Sequence, residues 1–497
     1  MWIGSAVSSG RAEHLERALH KQHGPLVRIA HNEVSVSDPS AVKIIYNIKS
    51  GFTKTDFYPP FAPNVSPHGD LFTQLDEVKH ADRRKYVNAV YSMSTILESE
   101  TYINACTDVF LEKMGRFAAE SKEIDFGEWI QWCFGFMRDE HDYGRYIQSL
   151  DTLLPGIALS CVLPAWLRPF HSSIGMIFPT IRDSIRGFDE IRAAGRSWTN
   201  VRREQMKAGT VERVDLLDKL FKIMENKDGF GIPEIQNEAC VAIFAGSDTT
   251  AIAIRSIFYH LMQRPECMQK LVAEIDEFTA QGLLSEPHIR YNEAIKMPYL
   301  VACCKEGMRL HPSVGLGMPR HVPAGGVTIS GRYFPAGSRV SINAAVFHYD
   351  ESIFGPDAAE FNPDRWIKGD ASLMDRHMLH FGGGSRTCIG KNISLAEMHK
   401  LIPAFLRRFK VELADPKRSW KTQNYWFNKQ TDSPRKSVEV RKHPLAPMFH
   451  GTMQCVTNGV VLAEGRALGR SNQQKPMDRF GVHFAQFGVD DFQFRRA

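Results

Sequence analysis

Phe381-Gly382-Gly383-Gly384-Ser385-Arg386-Thr387-Cys388-Ile389-Gly390 is the stretch on which the reading of this chain turns. Three successive glycines, an arginine two residues before the sulfur and a glycine two after it describe a tight loop built around one cysteine. Glycine takes positive φ and lets backbone N–H groups come close to the sulfur, where they favour a thiolate over a thiol. A helical run from Asn392 to Arg407 then sets Cys388 at a helix N-terminus, where the dipole also favours negative charge. These are the surroundings of a thiolate that holds a metal. The plain alternative is a buried cysteine beside a Gly-rich turn, since free Cys is commonly a small buried hydrophobe.

The loop sits in a chain of 497 residues, 43% hydrophobic and 24% charged, which can bury a sizeable core and is not a disordered composition. Lys and Arg number 61 against 56 Asp and Glu, a net charge of +5, with no long basic run and no nucleic-acid motif, so nucleic acid is not an expected partner. The cysteines Cys106, Cys133, Cys161, Cys240, Cys267, Cys303, Cys304, Cys388 and Cys455 show no C-x-x-C spacing. They read as reduced thiols facing the cytosol, not as a disulfide framework. Met1 to Gly24 carries Arg11, Glu13, Glu16, Arg17 and Lys21, whereas a membrane-spanning helix needs about 20 apolar residues. No anchor or signal peptide is written there.

An amphipathic opening helix leads through Gly24-Pro25 into two alternating runs, Leu26 to Ala30 and Val34 to Ser37, expected as a hairpin. A loop interleaving Pro59, Pro60, Pro63 and Pro67 with Phe57, Tyr58 and Phe61 follows. His80 and Arg84, four apart, share one helical face. The longest helical signal runs from Pro233 to Gln263, and about 30 residues make a helix roughly 45 Å long. Its middle, Ala245-Gly246-Ser247-Asp248-Thr249-Thr250, puts an acid and hydroxyls into an apolar interior, a composition expected to loosen the backbone ladder. Pro298 to Leu310 is a further helix with Glu306 and Arg309 three apart. Leu153 to Leu167 is apolar but holds Pro155 and Pro164, so it is core or a loop dipping into a membrane surface, not a clean span. Gly326 to Phe347 reads as strands separated by turns at Ser330-Gly331 and Pro335-Ala336-Gly337. The fold class expected is mostly α with a small β-sheet subdomain.

Phe381, Gly384, Arg386, Cys388 and Gly390 resemble, position for position, the F-x-x-G-x-R-x-C-x-G haem-binding loop of the cytochrome P-450 family. The resemblance extends over residues 10 to 444 and is nearest to filamentous-fungal members of the pisatin-demethylase and secondary-metabolism type. It implies the cytochrome P-450 fold and haem b, iron protoporphyrin IX, with Cys388 as axial thiolate and metal ligand. Arg386, His80, Arg84 and Arg320 are then propionate partners, Phe381 packs beside the loop, and Gly384 and Gly390 shape it. The A-G-x-D-T-T run resembles the family's oxygen-binding groove, which implies that Thr249 holds the bound oxygen by hydrogen bonding and Asp248 feeds protons to it. Glu306 and Arg309 match the E-x-x-R pair, with Arg365 in Phe361-Asn362-Pro363-Asp364-Arg365-Trp366 as third member of a structural triad. Phe244, Ala245, Val314 and Leu316 are substrate-pocket candidates, and the loop from Phe57 to Phe61 is either a pocket roof or a rigid surface loop. The implied partners are molecular oxygen, an apolar small molecule and an NADPH-cytochrome P-450 reductase docking near Lys85 and Lys391. The family norm is the cytosolic face of the endoplasmic reticulum membrane.

Three departures from the family pattern bear on function. Near residues 131–134, about a dozen residues, or three helical turns, that the family normally has are missing. A C-terminal extension, 445–497, follows the expected 1–444 domain and resembles nothing, and the membrane anchor is absent, so the protein is soluble or its start has been lost. The function expected is a haem-thiolate monooxygenase of secondary metabolism or detoxification. An isomerase or dehydratase on the same fold is the first alternative, against which both Asp248 and Thr249 speak, and a non-catalytic gene product is the second.

Overall fold

The computed structural model describes residues 2–66, 69–120, 123–133, 146–211, 214–413, 415, 417, 419–431 and 438–442. The extension 445–497 and the segment following residue 133, where the missing helix was expected, lie outside the described residues.

The long helix Ile232–Gln263 organises the rest. Its first turn is set by Pro233 and by the Glu234 carboxylate, which accepts the Gly231 N–H at 2.9 Å. Ile235, Ala239, Cys240 and Ile243 pack into one core cluster, and Ile254, Ile257 and Leu261 into another, so this one helix joins both. The expected loosening at Ala245–Thr250 does not occur. The hydroxyls of Ser247 and Thr249 donate back to the carbonyls of Ile243 and Ala245, at 3.2 and 2.8 Å, and add to the backbone ladder without displacing it.

The predicted hairpin forms between Leu26–Ala30 and Glu33–Val36. It is the edge of a five-stranded sheet continued by Arg339–Ser341, Arg320–His321 and Thr53–Lys54. Only Glu33–Val36 and Arg339–Ser341 pair in parallel; the other neighbours run antiparallel, and the last pair sets Lys54 opposite Arg320. Val327–Ile329 and Arg332–Phe334 make the expected short strands. Ala344–Phe347 departs from expectation: Asn343 accepts the Ala345 N–H at 3.0 Å and starts a helical turn there. The architecture is therefore mostly helical with small sheets, as expected.

Leu153 to Leu167 is core over most of its length. The helix Tyr146–Val162 keeps Pro155 inside and buries Leu150, Leu154, Ala158 and Cys161. From Trp166 onward the apolar side chains turn outward, and Trp166, Phe170, Ile174, Ile177 and Phe178 are all exposed. Among the described residues, the helix long and apolar enough to cross a membrane is Ile232–Gln263, and most of it is buried in the core.

Candidate functional site

The Cys388 loop is closed by its own backbone: the Cys388 N–H donates to Phe381 O at 2.8 Å. Gly384 has a φ of +64° and lies so close to the Tyr46 carbonyl that a Cβ would overlap it. That is a physical requirement for glycine. The helix Lys391–Leu406 begins directly after Gly390. Burial raises the Cys388 thiol pKa, while the N–H groups of Gly390 and Lys391 and the charges of Arg84 and Lys391 pull it down. The side chain is nevertheless solvent-accessible. A sulfur both surrounded by protein and accessible opens onto an internal space. Ala245 is likewise exposed although it stands midway along the most deeply packed helix.

Five basic side chains gather near the loop. Arg84, on the helix Glu77–Val87, donates to Thr387 O at 2.7 Å. Arg386 reaches Gln74 O at 2.8 Å and pairs with Glu77 at 2.8 Å. Arg320 is buried and donates to Pro319 O at 3.0 Å and to the Tyr58 hydroxyl. Burial pushes His80 down to about 3, and the charges of Arg386, Lys54, Arg84 and Arg320 push the same way. Lys54 was not foreseen. Burial holds its pKa well below the ordinary lysine value, and Arg320 and Arg386 add to the effect against Asp70 and Glu77. Only the sheet register, which pairs Lys54 with Arg320, brings it here; residue spacing carries no such signal.

On the far side of the loop, Glu306 and Arg309 are wholly buried. Arg309 meets the carboxylate through two bonds, at 2.9 and 2.8 Å, and Arg365 Nε adds a third at 2.9 Å. Trp366 Nε1 and the Asn362 N–H complete it at 2.8 and 3.0 Å. The triad expected from sequence is thus assembled, with Trp366 as an unforeseen fourth member. His348 links it to the loop. Its Nδ1 lies 3.1 Å from Arg309 O, and its Nε2 accepts the Leu379 N–H at 2.8 Å. Because burial pushes His348 down to about 3, the ring is neutral and carries its proton on Nδ1.

On the long helix, Thr249 Oγ1 donates to Ala245 O, and Thr250 meets Ser394 of the loop-following helix at 3.1 Å. Asp248 is fully buried against Gln131 and Lys429. Phe244, Val314 and Leu316 join one apolar cluster with Phe57, Phe61, Trp426 and Phe427. Phe57 and Phe61 are buried, with ring centroids 5.7 and 5.1 Å from Trp426, so that loop is not a surface feature. Lys85 and Lys391 are both exposed.

The model of the cytochrome P450 family matches residues 1–435. The chain belongs to the cytochrome P450 family. It is 37% identical over 450 residues to the cytochrome P450 monooxygenase gsfF of Penicillium aethiopicum, covering 87% of this chain and 89% of that protein. It is 38% identical over 365 residues to the monooxygenase ACRTS1 of Alternaria alternata, covering 70% and 97%. Pisatin demethylase of Fusarium vanettenii is 32% identical over 449 residues, 86% of this chain and 86% of that protein. This P450 is therefore a monooxygenase, as expected.

A P450 implies a haem, and the residues present fit one. Lys54 and Arg320 are both buried and directly opposite on paired strands, an arrangement that like charges disfavour unless an anion separates them. The two propionates of a haem would supply that charge. On the other side, an accessible sulfur facing an internal space, with two N–H groups and a guanidinium beside it, suits a thiolate ligand.

Proposed function

We propose that this monooxygenase holds haem b through Cys388 and inserts one oxygen atom into an apolar small molecule of fungal secondary metabolism or detoxification. Electrons come from an NADPH-cytochrome P-450 reductase. The observation that carries this reading is the Cys388 sulfur, solvent-accessible in a loop closed by its own backbone directly before the helix Lys391–Leu406. A thiolate-bound haem activates dioxygen for such chemistry. Arg386, His80, Arg84 and Arg320, joined by Lys54, hold the propionates. Phe381 packs beside the ligand, and Gly384 and Gly390 let the loop close around it.

Thr249 keeps a proton at Oγ1 that now goes to the Ala245 carbonyl and can turn into the space, and Asp248 beside it supplies protons. Phe244, Ala245, Val314 and Leu316, with the aromatic rings around Trp426, bind the substrate and exclude water. Glu306, Arg309 and Arg365 act structurally. The pairing of Asp248 with Thr249 favours the monooxygenase over an isomerase or dehydratase, which has no need of proton delivery to oxygen.

The ferrous carbonyl spectrum of the purified full chain tests the ligand. Wild type is expected to show the red-shifted Soret band of a thiolate-ligated haem and Cys388→Ser to lose it; a Cys388→Ser protein that keeps the band overturns the assignment. The exposed apolar run from Trp166 to Phe178 supports contact with a membrane surface, which the family often makes. Flotation with phosphatidylcholine vesicles is expected to carry the wild type and to leave Trp166→Asp/Phe170→Asp in the pellet fraction, and equal flotation of both removes that reading.

A further inference from the structure

The hairpin of Thr422–Tyr425 and Phe427–Gln430 is anchored at both ends of its second strand. Phe427 lies in the apolar cluster of the substrate pocket, and Gln430 is bonded to the long helix: Arg255 Nη2 donates to Gln430 O at 3.0 Å, and Gln430 Nε2 to Ile252 O at 3.2 Å. Between them, Lys429 reaches inward. Its ammonium stands 2.8 Å from Asp248 Oδ2 and also pairs with Asp151 of the helix Tyr146–Val162. Side-chain exposure falls along this line from 47% at Asp151 through 13% at Lys429 to 0% at Asp248. The other Asp248 oxygen accepts from Gln131 Nε2 of the helix Phe126–Cys133.

A fully buried carboxylate keeps its charge only if a cation stays beside it; without one it takes up a proton or turns elsewhere. The second cation in reach, Arg255, is shared among Asp125, Asp248, Asp151 and Glu128 and is committed to the Gln430 carbonyl. Burial works against the Lys429 ammonium, yet Asp248 and Asp151 outweigh it and raise its pKa above the ordinary lysine value. Lys429 is therefore charged, and its strand is fixed to the helix that carries Asp248.

We propose that Lys429 is the positioning residue of Asp248: mounted on the hairpin, it fixes the direction and charge of the acid that feeds protons toward Thr249, with Asp151 marking the solvent end of that line. This rests on the reading of Asp248 as the proton-feeding acid. Asp248 takes up a proton from solvent at the Asp151 end before it passes one toward Thr249, so the carboxylate is restored after each transfer and Lys429 stays charged throughout.

The test uses the haem-loaded full chain with its reductase and NADPH, no added substrate, and the ratio of peroxide to water formed from oxygen, measured from pH 6 to 9. Asp248→Asn is expected to raise that ratio about tenfold, Lys429→Met to raise it comparably, and Lys429→Arg to restore the wild-type ratio and pH profile. The double variant Asp248→Asn/Lys429→Met is expected to go no further than either single one. If Asp248→Asn shifts the ratio and Lys429→Met does not, the positioning role falls and the role of Asp248 stands. If Asp248→Asn leaves the ratio unchanged, the reading of Asp248 itself falls. Denaturant unfolding of the haem-free chain gives a second readout: the two substitutions are expected to be non-additive, and strict additivity overturns the proposal.

Discussion

Two buried clusters of charge flank the Cys388 loop, and they are finished to different degrees. Around Glu306, each oxygen of the carboxylate is taken up by guanidinium, indole or backbone N–H, and Arg365 has Asp357 as a second acid at 2.8 Å. Two arginines meet two carboxylates, and the cluster closes on its own atoms. Around Lys54, by contrast, Arg320 and Arg386 oppose the ammonium while Asp70 and Glu77 support it, and burial with the two guanidiniums prevails. The difference teaches which part of the protein is scaffold and which is receptor. A cluster whose charges already balance stabilises the fold before any ligand arrives. One left with surplus buried positive charge is completed by an anion, and it weakens the ligand-free chain until then.

Removing the centre of the closed cluster is the strongest way to break this contrast. Glu306→Ala strands two buried guanidiniums and is expected to cost about 3–5 kcal/mol, read as lost soluble yield and a lowered denaturant midpoint. A variant with a wild-type midpoint would show that the clamp is not scaffold. The open cluster should respond with opposite signs. Lys54→Met is expected to stabilise the haem-free chain by up to about 1 kcal/mol, because it relieves the charge facing Arg320. In the loaded protein it is expected to weaken haem retention roughly tenfold, followed by transfer to apomyoglobin. Destabilisation of the haem-free chain would dissolve the distinction between the clusters.

The same substitution has a pH signature, and it is the smallest effect. His80 binds no proton in the folded chain until about pH 3, whereas the unfolded chain takes one near 6.5. The unfolded state therefore holds more protons between those values, and stability falls as pH drops through them. Lys54→Met removes one of the charges holding His80 down, so its haem-free midpoint is expected to fall less steeply below pH 6.5 than that of wild type. An unchanged slope would place Lys54 too far from His80 to matter.

Much of the site was legible in the linear sequence because its parts are local. The Cys388 loop needs glycine where the backbone meets Tyr46, and the E-x-x-R pair lies on one helical face, so both leave a pattern within a few residues. Trp366 stood beside Arg365 in the sequence but gave no sign that its indole closes on Glu306. The Ala245–Thr250 run misled in the opposite way. Its residue types argue for a loosened helix, yet with packing on both core clusters the helix runs unbroken and the hydroxyls turn back onto it.

By itself, then, the sequence determined the tight Cys388 loop, the place of Ala245–Thr250 midway along a long helix, the Glu306 pair and the helical class, since each depends on neighbours within one turn or one tight loop. Only the tertiary structure decided that Lys54 stands against Arg320, that His348 ties the clamp to the loop, and that Lys429 holds Asp248. Those contacts join residues 31 to 266 positions apart, and a charge that far along the chain acquires its partner only through strand register and helix packing.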